Sequence, residues 1–337
     1  MKIALDVNGG DNAPYSNIDG AIAYLNECGN NAANLILLGD KIQIGEHLNK
    51  LKINNTKIEI HHTSQIVSMN EKASRTFRDK PDSSLVKAIQ LVKENKAQGI
   101  ISAGNTGALL STSLFLIGKI PGVKRPAFAP FIPNINGGGF ILCDAGANVD
   151  TKPNHLLQFS LMAEAYIQHL KKITNPRIAL LNIGSEEKKG NELTISSHAL
   201  LKKYVNNFIG NIESRYLMNN KADIVICDGF TGNIVLKLSE GIMSYLMKNI
   251  KNELIKSNLS NENLTSFSNL LSNFSKSLDH EEYGATPFLG INGVVMKCHG
   301  SSTAKGIKNS LIATQITIQE KLIQDIIKRL EKYSNIF

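Results

Sequence analysis

Residues 100–107 read Ile100-Ile101-Ser102-Ala103-Gly104-Asn105-Thr106-Gly107, and residues 226–232 read Ile226-Cys227-Asp228-Gly229-Phe230-Thr231-Gly232. In both, a short β-branched run ends in Gly-x-Thr-Gly and an apolar helical pattern follows. β-Branched residues favour strands, glycine permits a sharp turn, and Asn or Asp just ahead of a helical pattern is a start signal. The same strand, turn and helix start at two distant places points to two related halves.

Outward from these stretches, further strands are expected at Lys2–Val7, Leu35–Leu38, Lys57–Ile60, Gly99–Ser102, Phe140–Cys143, Ile178–Ile183, Asp223–Cys227 and Gly293–Cys298. Helical patterns lie between them. In Ser84–Lys96, Leu85, Ile89 and Val92 recur at spacings of four and three, and Leu156–Leu170 behaves alike. Asp82, Ser83 or Ser84 supplies the first of these helices with a cap. Such alternation is the mark of an α/β protein whose sheet is covered by helices on both faces. At about 150 residues per domain, 337 residues make roughly two domains' worth of chain, read here as a single unit, 1–337, of two lobes.

Composition narrows the class. With 42% hydrophobic and 20% charged residues the chain suits a globular protein and excludes disorder, collagen and a coiled-coil rod. No apolar run approaches the roughly 20 residues that span a bilayer. Met1–Asp6 reads as a strand rather than a signal peptide, so a cytoplasmic location is expected. Cys28, Cys143, Cys227 and Cys298 are scattered without a CxxC pair, which gives no support to a zinc site or a disulfide framework, and no metal is expected. The net charge of +8 leaves nucleic acid, an anionic membrane, an acidic protein or a phosphate-bearing ligand open.

One segment, 241–278, breaks the alternation. Met243, Leu246, Met247, Ile250 and Leu254 form one helical stripe, and Leu264, Phe267, Leu270, Leu271, Phe274 and Leu278 form another. The polar stretch Lys256–Asn263 separates them, so the segment reads as a protruding helical hairpin. Its apolar stripes suit the core or a dimer interface. With Lys248, Lys251, Lys256 and Lys276 nearby, they also suit an anionic bilayer.

Five strand ends run into Gly-rich turns: Asp6–Asp11, which contains Gly9 and Gly10, then Ser102–Gly107, Asp144–Asn148, Asp228–Asn233 and His299–Ser302. Glycine allows close backbone approach, and helix-start amides favour anions. In an open α/β sheet such loops meet where ligands bind, at the carboxyl ends of the strands. One such loop is an ordinary turn. Five, carrying Asn105, Asn148 and Asn233 as amides and Thr106, Ser301 and Ser302 as hydroxyls, make a polar crevice for an anion. It lacks the GxGxxG and GxxxxGK[ST] devices, as well as HExxH and GxSxG. Two basic clusters accompany the turns, Lys188-Lys189 after a strand and Lys72, Arg75, Arg78 and Lys80 ahead of a helix start. Each reads as a solvated surface unless one Lys turns inward to meet an anion.

Together these stretches resemble the bacterial phosphate acyltransferases of the PlsX family. The resemblance rests on Ser102 to Leu109, Asp144 to Asn148, Asn182-Ile183-Gly184 with Lys189 to Glu192, Cys227 to Asn233, and Asn292 to Val295 with His299 to Ser302. They occur in the family's order and span essentially the whole chain. Val7-Asn8 replaces the Ala-Met of the family's opening motif, Asn70 to Ala73 lacks its proline, and Ala285-Thr286 stands for its Gly-Ala. The resemblance implies a three-layer α/β/α sandwich similar to isocitrate and isopropylmalate dehydrogenases, forming a homodimer without cofactor. It implies reversible fatty acyl transfer from acyl-acyl carrier protein to inorganic phosphate, with the acyl phosphate feeding the membrane glycerol-3-phosphate acyltransferase of phospholipid synthesis. Contact with the inner face of the cell membrane would then accompany the cytoplasmic location, and nucleic acid drops out.

The residue inventory suits that chemistry. Phosphate is a competent nucleophile, so the enzyme must chiefly hold it at attack distance. A thiol with a pKa of roughly 8.5 leaves without a strong acid. Preorganised amides, hydroxyls and one or two cations can stabilise the oxyanion. Lys189, Asn105 and His299 are therefore the expected catalytic residues. Gly9, Gly10, Asp11, Gly104, Thr106, Gly107, Asn148, Asp228, Thr231, Gly232, Asn233, Gly300, Ser301 and Ser302 are expected to bind phosphate or substrate. Leu254, Phe267, Leu271 and Phe274 are the expected contacts of the hairpin. Three alternatives were open at this level: an acyl-enzyme on Cys143, Cys227 or Cys298, a nicotinamide-dependent or decarboxylating enzyme on the same fold, and a peripheral membrane scaffold.

Overall fold

A computed structural model describes residues 1–134, 138–256, 263, 265–271, 280–333 and 335–336. Its strands are β1 (Lys2–Asp6), β2 (Asn34–Gly39), β3 (Ile58–His62), β4 (Gly99–Ser102), β5 (Ala127–Phe128), β6 (Phe131–Pro133), β7 (Gly139–Cys143), β8 (Ile178–Asn182), β9 (Phe208–Glu213), β10 (Ile224–Ile226), β11 (Thr286–Leu289) and β12 (Val294–Lys297). They form a seven-stranded sheet in the order β3-β2-β1-β4-β12-β11-β5 and a five-stranded sheet in the order β6-β7-β10-β8-β9. The run from β3 to β12 is parallel, as is β7 to β9, whereas β5, β6 and β11 pair antiparallel. Residues 127–133 stitch the sheets together, because β5 joins β11 of one sheet and β6 joins β7 of the other.

Alternation along each strand builds the layers. Ile3 and Leu5 point to the face covered by the helices Tyr15–Cys28 and Ala304–Gln319, while Ala4 points to Ser84–Lys93 and Thr106–Leu116. In the second sheet Ile141, Cys143, Ile224 and Ile226 pack under Pro153–Lys171 and Leu322–Glu331. Phe140, Leu142 and Val225 pack on the opposite side with Leu217, Val235 and Leu236. Strands buried on both faces need apolar residues at odd and even positions alike, which is why these runs are almost continuously hydrophobic. The expected α/β/α sandwich is what the chain forms.

Some boundaries move. The helix expected over Ser84–Lys96 ends at Lys93, because Asn95 adopts φ 56° and turns the chain. Ser83 is its cap, accepting from Val86 N–H at 3.3 Å. The first arm of the expected hairpin does not begin at 241: it is the far part of one 28-residue helix, Gly229–Lys256, that starts at the β10 turn. Gly241 sits inside it without interrupting the backbone bonds. Leu254 lies within this helix, and Phe267 and Leu271 fall in a second helical stretch, while Phe274 and the turn between the arms lie outside the described residues.

Candidate functional site

A cavity of about 530 Å³ opens where the carboxyl ends of β1, β4 and β12 face the turns after β7 and β10. Its polar lining includes Asp11, Thr106, Asn233, Lys237, Glu240, Lys297 and His299. Its apolar lining includes Leu110, Phe128, Phe131, Leu236 and Phe288, together with Tyr166 and Tyr283. Near Tyr283 and Phe131, the Lys171 ammonium lies 5.0 and 4.4 Å from the ring centres.

At the carboxyl end of β1, Asp6 ties the neighbouring turns together. Its buried carboxylate accepts from Ser84 Oγ at 2.5 Å and Ser102 Oγ at 2.6 Å, and Ser102 Oγ in turn accepts from Gly104 N–H at 3.0 Å. Burial pushes the Asp6 carboxyl up from its ordinary range, with the two hydroxyls pulling it back. This knot brings the turns after β1 and β4 so close that a Cβ on Gly9 would stand 2.6 Å from Asp6 Oδ2 and 2.7 Å from Gly104 N. Asn105 caps the helix Thr106–Leu116 by accepting from Ala108 N–H at 2.9 Å. Its amide donates to Met69 O at 2.8 Å and Glu71 O at 3.2 Å, clamping the 68–71 loop beside the cavity. The N–H groups of Thr106 and Gly107, first in that helix, lack intrahelical acceptors and make an anion-favouring edge.

At the end of β7 in the second sheet, Asp144 ties the turns in a comparable way. Its buried carboxylate accepts from Phe128 N–H at 2.9 Å, Ala147 N–H at 3.0 Å, and both the backbone and side-chain amides of Asn148 at 2.8 Å. Burial raises the Asp144 carboxyl too, against those four donors. Asn148 also donates to Pro126 O at 2.7 Å. Asp228 caps the helix Gly229–Lys256 through Thr231 N–H and Thr231 Oγ, each at 2.8 Å. At Gly232 the approach is tightest, since a Cβ there would lie 1.9 Å from Asp144 O.

Lys297 closes β12, and Cys298 and His299 follow it. Lys297 is only 6% exposed, yet it lines the cavity. Its ammonium donates to Ala103 O at 3.1 Å and to Cys298 O. Burial lowers it to about 8, with Asp6 and Cys298 opposing that shift and Lys237 adding to it. His299 Nδ1 lies 2.7 Å from Ser301 Oγ and accepts from Ser301 N–H at 3.3 Å. Asn12 holds the same turn by donating to Ser301 O at 2.9 Å and Ser302 O at 3.3 Å.

Of the residues expected at the site, Asp11, Thr106, Gly107, Asn233, His299 and Gly300 line the cavity. Gly9, Gly10, Gly104, Asn105, Asn148, Asp228, Thr231, Gly232, Ser301 and Ser302 shape and lock the turns behind it. Lys189 does not line it: it sits on the loop after β8 with its ammonium 3.9 Å from Glu186 Oε1 and mostly in solvent. Sequence reasoning missed Lys297 and Lys237. A charged residue closing the apolar run Val294-Val295-Met296 was the signal for the first, and the one-turn spacing from Asn233 for the second. Cys143, Cys227 and Cys298 are buried, and desolvation raises all three thiols, Cys298 to about 11. Among the described residues no cluster of His, Cys, Asp or Glu is placed to hold a metal ion.

The family described as fatty acid synthesis protein matches residues 1–325. A phosphate acyltransferase of Clostridioides difficile is 42% identical over 334 residues, covering 99% of this chain and 97% of the relative. The chain belongs to the phosphate acyltransferase family. Another relative of that name, from Clostridium kluyveri, is 44% identical over 335 residues, with 99% of each chain covered. At the level of fold the chain is similar to a phosphotransacetylase from Streptococcus pyogenes, with TM-score 0.64, 16% identity and 95% and 94% of the two chains covered. A 4-hydroxythreonine-4-phosphate dehydrogenase from Klebsiella pneumoniae is also similar, with TM-score 0.50, 12% identity and 94% and 97% covered. The family membership and the dehydrogenase-like α/β/α class expected from the sequence both hold.

Proposed function

We propose that the protein transfers a fatty acyl group from acyl-acyl carrier protein to inorganic phosphate. The observation that carries this reading is the mixed lining of the cavity, in which Leu110, Phe128, Phe131, Leu236 and Phe288 accompany Lys297, His299 and the helix start at Thr106 and Gly107. An acyl chain suits the apolar residues and a phosphate dianion the cationic and polar ones. The dianion attacks the thioester carbon, a C–O bond forms, and the C–S bond breaks as the tetrahedral oxyanion collapses. The proton of hydrogen phosphate ends on the departing sulfur, so the products are acyl phosphate dianion and carrier thiol. His299, whose Nδ1 is held as an acceptor, is the group suited to pass that proton. Helix-start amides stabilise the oxyanion without reorganising. The buried thiols favour direct transfer over an acyl-enzyme.

The helix Gly229–Lys256 exposes Phe230, Ile234, Leu238, Ile242, Tyr245 and Leu246, a stripe that supports a homodimer, with an anionic membrane as the second occupant. No described helix is long and apolar enough to cross a membrane. Delivery of acyl phosphate to a membrane glycerol-3-phosphate acyltransferase belongs to the same proposal. The test mixes the protein, acyl-acyl carrier protein and phosphate with hydroxylamine. Acyl hydroxamate that forms only with phosphate supports the reaction, and its absence rejects it.

A further inference from the structure

Among the described residues, two ammonium groups line the cavity, and they differ in what balances them. Lys237 is exposed and pairs with Glu240 at 2.8 Å. Lys297 is buried, and among the described residues no carboxylate oxygen lies within 4 Å of its Nζ. Its partners are two neutral carbonyls, Ala103 O on the turn after β4 and Cys298 O on its own chain. Pairing of Lys297 with Ser102 across β12 and β4 fixes that geometry, so the ammonium is aimed by two adjacent parallel strands. An ammonium has three donors, and carbonyls take two of them. A buried charge without a counter-ion is expensive unless a ligand supplies one. The other charges around it are Asp6 and Asp11 from β1 and its turn, Lys237 from the long helix, and the Cys298 thiol beside it.

We infer that Lys297 is the cation that holds the phosphate nucleophile, its third N–H meeting a phosphate oxygen between His299 and the amides of Thr106 and Gly107. This rests on the acyl transfer proposed above. Lys297 keeps its proton throughout: the phosphate oxygen bonds to the acyl carbon, the carbon–sulfur bond breaks, and the phosphate proton reaches sulfur without passing through the lysine.

The test uses the full chain and inorganic phosphate as probe. Lys297→Met is compared with wild type for the KM of phosphate, the KM of acyl-acyl carrier protein and the melting shift that phosphate produces. Loss of a charge-assisted hydrogen bond predicts a rise of about tenfold or more in the phosphate KM, with little change for the acyl carrier and no melting shift. A phosphate KM and melting shift equal to wild type would overturn the assignment. Should the variant not fold, wild-type protein labelled with an amine-acylating reagent decides the matter by peptide mass spectrometry. Phosphate slowing modification of Lys297 supports the inference, and an unchanged rate rejects it. Wild type that makes no acyl phosphate rejects the reaction instead, while the labelling result still reports on phosphate at Lys297.

Discussion

Lys297 shows what a binding site costs at a single residue. Holding its ammonium in a buried place works against the charged form by on the order of 3 kcal/mol, from the fall from 10.5 to about 8. The folded protein releases that proton near pH 8 and the unfolded chain near pH 10.5, so between the two the unfolded chain binds the extra proton and stability rises with pH. In phosphate-free buffer, denaturant titrations of wild type are expected to gain about 2 kcal/mol over Lys297→Met between pH 7.5 and 10. Parallel curves would show that the ammonium is not desolvated as described. A neighbour gives a second outcome at this scale. Cys298 is buried with its thiol pushed up to about 11, so Cys298→Ala is expected to retain turnover, and loss of it with an intact fold would revive the acyl-enzyme route.

At the scale of elements, the turns do the work. Gly232 leaves no room for a side chain against Asp144 O, so Gly232→Ala must push the long helix off the β10 turn. Overpacking of this kind costs about 1–3 kcal/mol, read from the urea midpoint, with acyl transfer falling as Asn233 and Lys237 move. Asn105→Ala removes a helix cap and the clamp on the 68–71 loop. A loss of about 1 kcal/mol is expected, with activity falling through misplacement rather than through loss of a group that touches substrate. Central strands were legible because burial on both faces demands continuous apolar runs. β5, β6 and β11 were not, since Ala127-Phe128 is only two residues long and Pro133 and Pro287 interrupt the others; antiparallel margins tolerate such residues. β9 was hidden by Gly210-Asn211. The polar turns were also readable, but not which of their residues face the cavity. Asn105, Asn148 and Asp228 look like ligands in sequence because the residues that cap turns are the residues that bind anions. Lys297 was hidden because the carbonyl that orients it, Ala103 O, comes near only through the pairing of β4 with β12.

For the whole molecule, two sheets stitched by 127–133 leave a cavity where their strand ends face each other, and the long helix runs from that cavity into solvent. Its exposed stripe begins at Phe230, three residues before the cavity residue Asn233. Leu238→Glu with Ile242→Glu is expected to convert a dimer to monomer in sedimentation velocity. Wild type that is already monomeric, yet floats with anionic vesicles and loses flotation in the double variant, would assign the stripe to lipid instead. The central claim is that phosphate attacks the acyl carbon. It is tested most directly by supplying phosphate labelled with oxygen-18 at all four positions and weighing the acyl phosphate formed. All four labels retained, with one carrier thiol released per acyl phosphate, is the predicted result. Loss of one label, or free fatty acid in place of acyl phosphate, would contradict it.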